Sequence, residues 1–277
     1  MEDEKIAVLG PKGTNGHEAA QKEFHPSEED LFFCKRNADI FSTCIETQCI
    51  GVIPIENSTA GLVKEVVNFW RKNIESDLPI SVIGEIRIPI RHSLLAHPNC
   101  SGLEMVSAVK SHPQALEQCS EIIAEHGWQA LPALSTAAAA REVMETASAE
   151  VVAIASPFAG EVYGLNVLKN NGHNCATNET RFHIIGAEQS LLTGDDKTAV
   201  IFELKDIPGA LAKITTLFWS YGVNLSSITS IPTGKLGVYA FYAEFDCHQK
   251  SEVGTEIIAR MNWLCERMLV LGSYPKA

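Results

Sequence analysis

The segment Cys49-Ile50-Gly51-Val52-Ile53-Pro54-Ile55 is apolar throughout, with no alternation of apolar and polar side chains. An alternating strand keeps one face in water. A strand without alternation is buried on both faces, as in a parallel sheet covered by helices. The flanking chain fits that demand: residues 5–9 and 31–34 read as strands, and residues 38–47 and 62–70 as helices. Residues 79–90 are extended and lead toward a second lobe. That lobe reads as a helix from Ser111 to about residue 126, a strand at 128–134 and a helix at 137–144. A strand at 151–155 and a helical turn at 160–163 follow. Strands alternating with helices imply an α/β fold built on parallel sheets.

The pattern changes after Leu191-Leu192-Thr193-Gly194-Asp195-Asp196, a turn-rich stretch. Beyond it the order is strand 198–204, helix 209–221, strand 224–231, strand 238–245, helix 252–267 and strand 269–273. That is βαββαβ, the ferredoxin-like arrangement. The charge changes too. The chain carries a net charge of −12, but residues 196–277 hold 8 Lys and Arg against 8 Asp and Glu. The acidic excess therefore belongs to the first part, and two domains are expected, at 1–190 and 196–277.

An acidic balance excludes an electrostatic nucleic-acid surface. No apolar run approaches membrane-spanning length, and the acidic start does not read as a signal peptide. Eight cysteines without C-x-x-C spacing read as reduced thiols of a cytoplasmic protein. The histidines form no H-x-x-x-H pair, so no metal site is legible. In so acidic a chain, an anionic ligand must be held by local devices such as helix N-termini or single cations.

Four stretches offer such devices. Gly10-Pro11-Lys12-Gly13-Thr14-Asn15-Gly16-His17 follows a strand and opens a helix, which makes either an anion cradle or a tight turn. Glu56-Asn57-Ser58 ends the apolar strand where parallel sheets place ligands; Asn57 or Ser58 also suits a helix cap. Ser111-His112-Pro113-Gln114 reads as a capping box, with Gln118 one turn further on and free to point into a cleft. Thr177-Asn178-Glu179-Thr180-Arg181-Phe182-His183 is a loop-to-strand junction. Period two sends Thr180 and Phe182 to one face, and Arg181 and His183 to the other. Arg181 could grip a carboxylate in bidentate fashion.

Six motifs now stand in one order. They are Gly10-Pro11-x-Gly13-Thr14, Pro54-Ile55-Glu56-Asn57-Ser58-x-x-Gly61, His92-x-Leu94-Leu95, Ser111-His112-Pro113-Gln114-x-x-x-Gln118-Cys119, Ser135-Thr136-Ala137 and Asn178-x-Thr180-Arg181-Phe182. Together they resemble prephenate dehydratase. The βαββαβ part, with Pro208-Gly209-Ala210-Leu211, resembles the ACT regulatory domain. The resemblance implies two α/β lobes like a type 2 periplasmic binding protein, with the active site in the cleft between them. It implies conversion of prephenate to phenylpyruvate without metal or organic cofactor, phenylalanine as effector, and a homodimer or homotetramer. By position, Thr180 would assist departure of the ring hydroxyl, and Asn57, Ser111 and Gln118 would bond the substrate. Arg181 would anchor a carboxylate. Thr14, Glu56, Ser58, Thr136 and Phe182 would complete the substrate site, and Gly209, Ala210, Leu211 and Asn224 the effector site. An arogenate dehydratase, a prephenate decarboxylase and a non-catalytic aromatic-acid sensor are the competing readings.

The sequence also departs from the family pattern. Asn15-Gly16 follows Gly13-Thr14 where an aromatic residue and Ser are usual, and Asn174 stands where Asp is usual. His183 replaces an aliphatic residue, and Thr229-Ser230-Ile231-Pro232 replaces Glu-Ser-Arg-Pro. The last change removes both charges from the regulatory segment.

Overall fold

The computed structural model describes residues 4–170, 172, 174 and 177–277. Cys175 and part of the 170–174 loop lie outside the described residues. The first lobe contains β1 (Ile6–Leu9), α1 (Asn15–Phe24), β2 (Leu31–Cys34), α2 (Asn37–Thr47), β3 (Ile50–Asn57), β4 (Gly61–Leu62), α3 (Lys64–Lys72) and β5 (Ser81–Pro89). The second contains β6 (Ser93–Ala96), β7 (Ala108–Ser111), α4 (Pro113–Gln118), α5 (Ser120–His126), β8 (Gln129–Pro132), α6 (Thr136–Thr146), β9 (Val151–Ala155), α7 (Pro157–Tyr163) and β10 (Asn166–Lys169). The chain then returns to the first sheet as β11 (Glu179–Gly186).

Both lobe sheets are mixed rather than parallel. The first has the order β2-β1-β3-β11-β5, and β11 runs antiparallel to both neighbours. The second has the order β10-β6-β9-β7-β8, with β7, β8 and β9 parallel. In the second sheet the departure is β6, antiparallel to β9 and β10; in the first it is the returning strand, which enters its sheet from the opposite lobe. Its two crossing segments lie side by side: the Gly172 amide donates to the His92 carbonyl at 2.7 Å, and the Ile90 amide to the Asn178 carbonyl at 2.8 Å.

The third sheet is β12 (Asp196–Glu203), β13 (Leu225–Pro232), β14 (Tyr239–Phe245) and β15 (Arg267–Pro275), in the order β13-β14-β12-β15. Helices α8 (Ala210–Ser220) and α9 (Glu252–Leu264) cover one face through Val200, Phe202, Ile214, Phe218, Ile257 and Met261. The other face packs on the first lobe, where Ile201, Tyr242, Leu271 and Tyr274 join one core with Trp70, Ile74 and Val82. Burial on both sides explains why every residue of β12 is buried. At Gly272 a Cβ would lie 2.0 Å from the Val82 carbonyl oxygen, so β15 approaches β5 this closely only through glycine.

Two local expectations change. Asn57 and Ser58 do not cap a helix, because β3 turns back as β4 and the N-cap of α3 is Val63. The helix expected from Ser111 breaks at Cys119 into α4 and α5. Pro113 occupies the first turn of α4, which moves the N-cap to His112.

Candidate active site

A cavity of about 430 Å³ opens between the two lobes, a size that suits a small ligand. Three helix N-termini border it. Thr14, Asn15 and Gly16 belong to the start of α1, His112 and Gln114 to α4, and Ser135 and Thr136 to α6. Each helix is capped by its own side chain: Thr14 Oγ1 accepts from the His17 amide, His112 Nδ1 from Gln114 and Ser135 Oγ from Ala138. The other first-turn amides of α1 and α6 have no intrahelical partner, and with the helix dipoles they favour an anion. Helix α4 has none to spare, since Pro113 carries no N–H and the Ala115 amide bonds the His112 carbonyl. The Gly10–His17 loop brings the start of α1 to the cavity. Leu9, Pro54, Leu62, Ile90 and Phe182 supply apolar walls.

The polar floor of the cavity is a directed chain of hydrogen bonds. Asn57 Oδ1 accepts from the amides of Thr59 at 3.1 Å and Ala60 at 3.0 Å, and from Thr59 Oγ1 at 2.7 Å. Three donors on one oxygen decide which way round the amide sits. Asn57 Nδ2 therefore faces β11, donating to Thr180 Oγ1 at 3.0 Å and Asn178 Oδ1 at 2.8 Å. Thr180 accepts this bond, which leaves its hydroxyl hydrogen for the cleft. Gln118, from the opposite lobe, donates through Nε2 to Thr59 Oγ1 at 3.1 Å, and its Oε1 accepts from Asn178 Nδ2 at 3.3 Å. Its Oε1 also lies 2.9 Å from His92 Nε2. A register shift between Arg181 and Phe182, where β11 pairs with β3, places Thr180 opposite Asn57.

Of the residues expected here, Thr14, Asn57, Gln118, Thr136, Thr180 and Phe182 line the cleft. Ser111 does not. It ends β7 fully buried, and its Oγ donates to the Ile154 carbonyl at 2.5 Å. Glu56, Ser58 and Arg181 do not either. They line a separate space of about 370 Å³ behind β11, and Ser58 is spent on the backbone of Glu179. The Arg181 guanidinium is held by Glu56 and Glu85, each at 2.9 Å, and by Glu244 at 2.7 Å, so it has no fork left for a substrate carboxylate. Thr59, His92 and Asn178 are cleft or network residues that sequence reading assigned no role, while Ser135 caps α6 as its position before the alanine-rich helix suggests. Asn178 was within reach of sequence reading, since period two puts it on the face of Thr180.

Gly209 adopts φ +79° as the N-cap of α8 and borders a groove between α8 and α9. Asn224 lies elsewhere, its Nδ2 bonded to Asp246 at 3.1 Å. Among the described residues no group of three or more His, Cys, Asp or Glu could hold a metal. No helix among them is long and apolar enough to cross a membrane.

A family model described as prephenate dehydratase matches residues 6–190, and one described as ACT domain matches residues 198–260. The chain belongs to the prephenate dehydratase family. The prephenate dehydratase of Methanocaldococcus jannaschii is 33% identical over 271 residues, covering 96% of each chain. Among solved structures, Arthrobacter aurescens prephenate dehydratase in complex with L-Phe is 30% identical with a TM-score of 0.85, covering 98% of this chain and 89% of that one. The structure of GqqA, described as a novel type of quorum quenching acylase, is 25% identical with a TM-score of 0.86 and covers 98% of both chains. Family membership brings a lyase activity and a C-terminal ACT domain.

Proposed function

We propose that this cleft is where prephenate loses carbon dioxide and its ring hydroxyl to give phenylpyruvate, with Thr180 at the hydroxyl and Asn57 behind it. The observation that carries the reading is the polarity of the Asn57–Thr180 bond. Electrons of the breaking carboxylate bond flow through the cyclohexadiene and expel hydroxide at the far ring carbon, and aromatisation drives the process. The departing oxygen needs a hydrogen-bond donor where negative charge develops. Thr180 has its hydrogen to give because Asn57 already donates to its oxygen. A threonine hydroxyl is too weak an acid to lose its proton outright, so it orients and stabilises the leaving hydroxide, which is protonated from solvent.

The helix starts at Asn15 and Thr136 offer amides to the substrate carboxylates, and Phe182 packs on the ring. Incubating the purified chain with prephenate and following the ultraviolet absorbance of phenylpyruvate tests the reading. Turnover of arogenate but not prephenate, or no aromatic product, overturns it.

Gln118 joins the lobes through Thr59 and Asn178. Gln118→Leu is expected to lower kcat/KM about a hundredfold with little change in melting temperature, because this side chain faces the cleft rather than a core. Kinetics equal to the parent's would make it a surface residue.

Phenylalanine is the effector we propose for the ACT domain, supported by family membership and by the relative described in complex with L-Phe. The uncharged Thr229-Ser230-Ile231-Pro232 segment lies on edge strand β13, with Thr229, Ser230 and Pro232 exposed. Without charged side chains to hold a zwitterion, backbone groups must do so, ideally between two copies of the chain in a dimer or tetramer. Inhibition should therefore be weak. Thr229→Glu restores one of the family segment's charges at an exposed position, while Ile231, buried in the core between the ACT sheet and the first lobe, is left unchanged. The substitution should lower the phenylalanine concentration for half inhibition about tenfold; identical titrations would show that this side chain contributes little.

A further inference from the structure

Arg181 and Glu56 sit one residue from Thr180 and Asn57 respectively, and the register pairs Arg181 with Glu56 next to Thr180 with Asn57. The catalytic pair therefore faces the cleft while a salt bridge ties the same two strands together behind it. The third arm of that bridge comes from the other domain: Glu244 is on β14, 1% exposed, with Oε1 2.7 Å from Arg181 NH1. Tyr242 donates its hydroxyl to the same carboxylate, and Lys197 Nζ lies 3.3 Å from it. At Thr180 the strand is a thin wall, since this residue borders both the cleft and the 370 Å³ space on the ACT side.

We propose that Glu244 of the ACT domain is a positioning residue for the active site: through Arg181 it holds the backbone of β11, and with it Thr180, at its distance from Asn57. The inference rests on the reading that Asn57 and Thr180 carry the reaction. A guanidinium with three carboxylates at fixed directions has one orientation. Removing the carboxylate contributed by the ACT domain frees that orientation. A small misplacement of a catalytic group is costly to turnover without weakening substrate binding, because the helix N-termini that hold the carboxylates lie on other elements. It also links the ACT sheet to the reacting pair through Arg181, so a shift of β14 is passed along β11 to Thr180.

The test uses the full chain. Glu244→Gln keeps the side-chain volume and removes the charge. It is expected to lower kcat about tenfold, leave KM within about twofold of the parent and speed amide exchange in the 178–182 segment. Glu244→Asp keeps the charge but withdraws it by one methylene, and should show the same kcat loss if Glu244→Gln does not fold.

Arg267→Met is the control. Arg267 of the ACT sheet bonds Glu75 and Glu203, neither of which touches Arg181, so the substitution should lower melting temperature with kcat unchanged. An unchanged kcat in the Glu244 variants, or an equal loss in Arg267→Met, overturns the proposal. The exchange readout does not depend on catalysis. Full turnover by Thr180→Val would remove the residue roles above, while faster exchange at 178–182 would still report the clamp.

Discussion

Thr180→Val is expected to lower kcat at least about a hundredfold while the protein folds and melts like the parent. Valine replaces the hydroxyl by a methyl of similar size, so the packing of this 8% exposed residue is kept. What goes is the donor to the departing hydroxide and the acceptor for Asn57 Nδ2. Asn57 keeps two acceptors, the Asn178 side chain at 2.8 Å and the Glu179 carbonyl at 3.1 Å, so its amide stays satisfied and the site does not collapse. The effect is therefore confined to the transition state, where the hydroxyl is called on: kcat and kcat/KM should fall together. Thr180→Ser, which restores the donor, should recover most of the rate. A kcat within about threefold of the parent in Thr180→Val would remove Thr180 from the chemistry.

The same strand shows how far the sequence could be read. Period two separated Thr180 from Arg181, and the structure keeps them on opposite faces as that rule demands. What the rule cannot supply is what covers the second face. Arg181 looked free to bind a carboxylate because its partners are scattered along the chain, at Glu56, Glu85 and Glu244. The His183 departure has the same explanation: its buried ring lies between the hydroxyls of Tyr242 at 3.5 Å and Tyr274 at 3.3 Å, both from the ACT sheet.

Ser111 was misread for a local reason. The Ser-x-x-Gln spacing is right for a capping box, but Pro113 displaces the helix start by one residue and turns the serine toward Ile154. Thr59 was illegible because its role depends on a three-residue turn around Asn57 Oδ1 and on a glutamine from the other lobe. The element order of the ACT part was legible because its helices and strands alternate in period along one short stretch of chain. Its docking face on Val82 and Trp70 was not, since apolar residues on one face of a sheet do not name their partner.

Arg181→Leu should destabilise the fold by about 3–5 kcal/mol at neutral pH, a large share of the roughly 5–15 kcal/mol that holds a domain folded. Glu85 and Glu244 have side chains 0% and 2% exposed, and without Arg181 they are left with Lys197 as their buried cation. Burial pushes the Glu244 carboxyl up, but His183 beside it and the charges of Arg181 and Lys197 outweigh burial and hold it well below the ordinary carboxylate range. Glu85 is lowered in the same way, burial being outweighed by Lys197 and Arg181.

Carboxyls depressed in the folded state add stability that is present above their unfolded pKa of about 4.3 and lost as the pH falls through the folded value. Removing the guanidinium raises both folded values, so the variant loses that stability at neutral pH. Once the carboxyls protonate, neither protein draws on it. The gap in urea midpoint between parent and variant should therefore be widest above about pH 4.3 and narrow as the pH falls from there toward the depressed folded values. A gap that stays constant over that range would mean that the guanidinium contributes packing rather than charge. The ACT sheet would then owe its hold on the catalytic lobe to its apolar face around Leu271 and Val82 and to bonds such as Lys197 to Glu85.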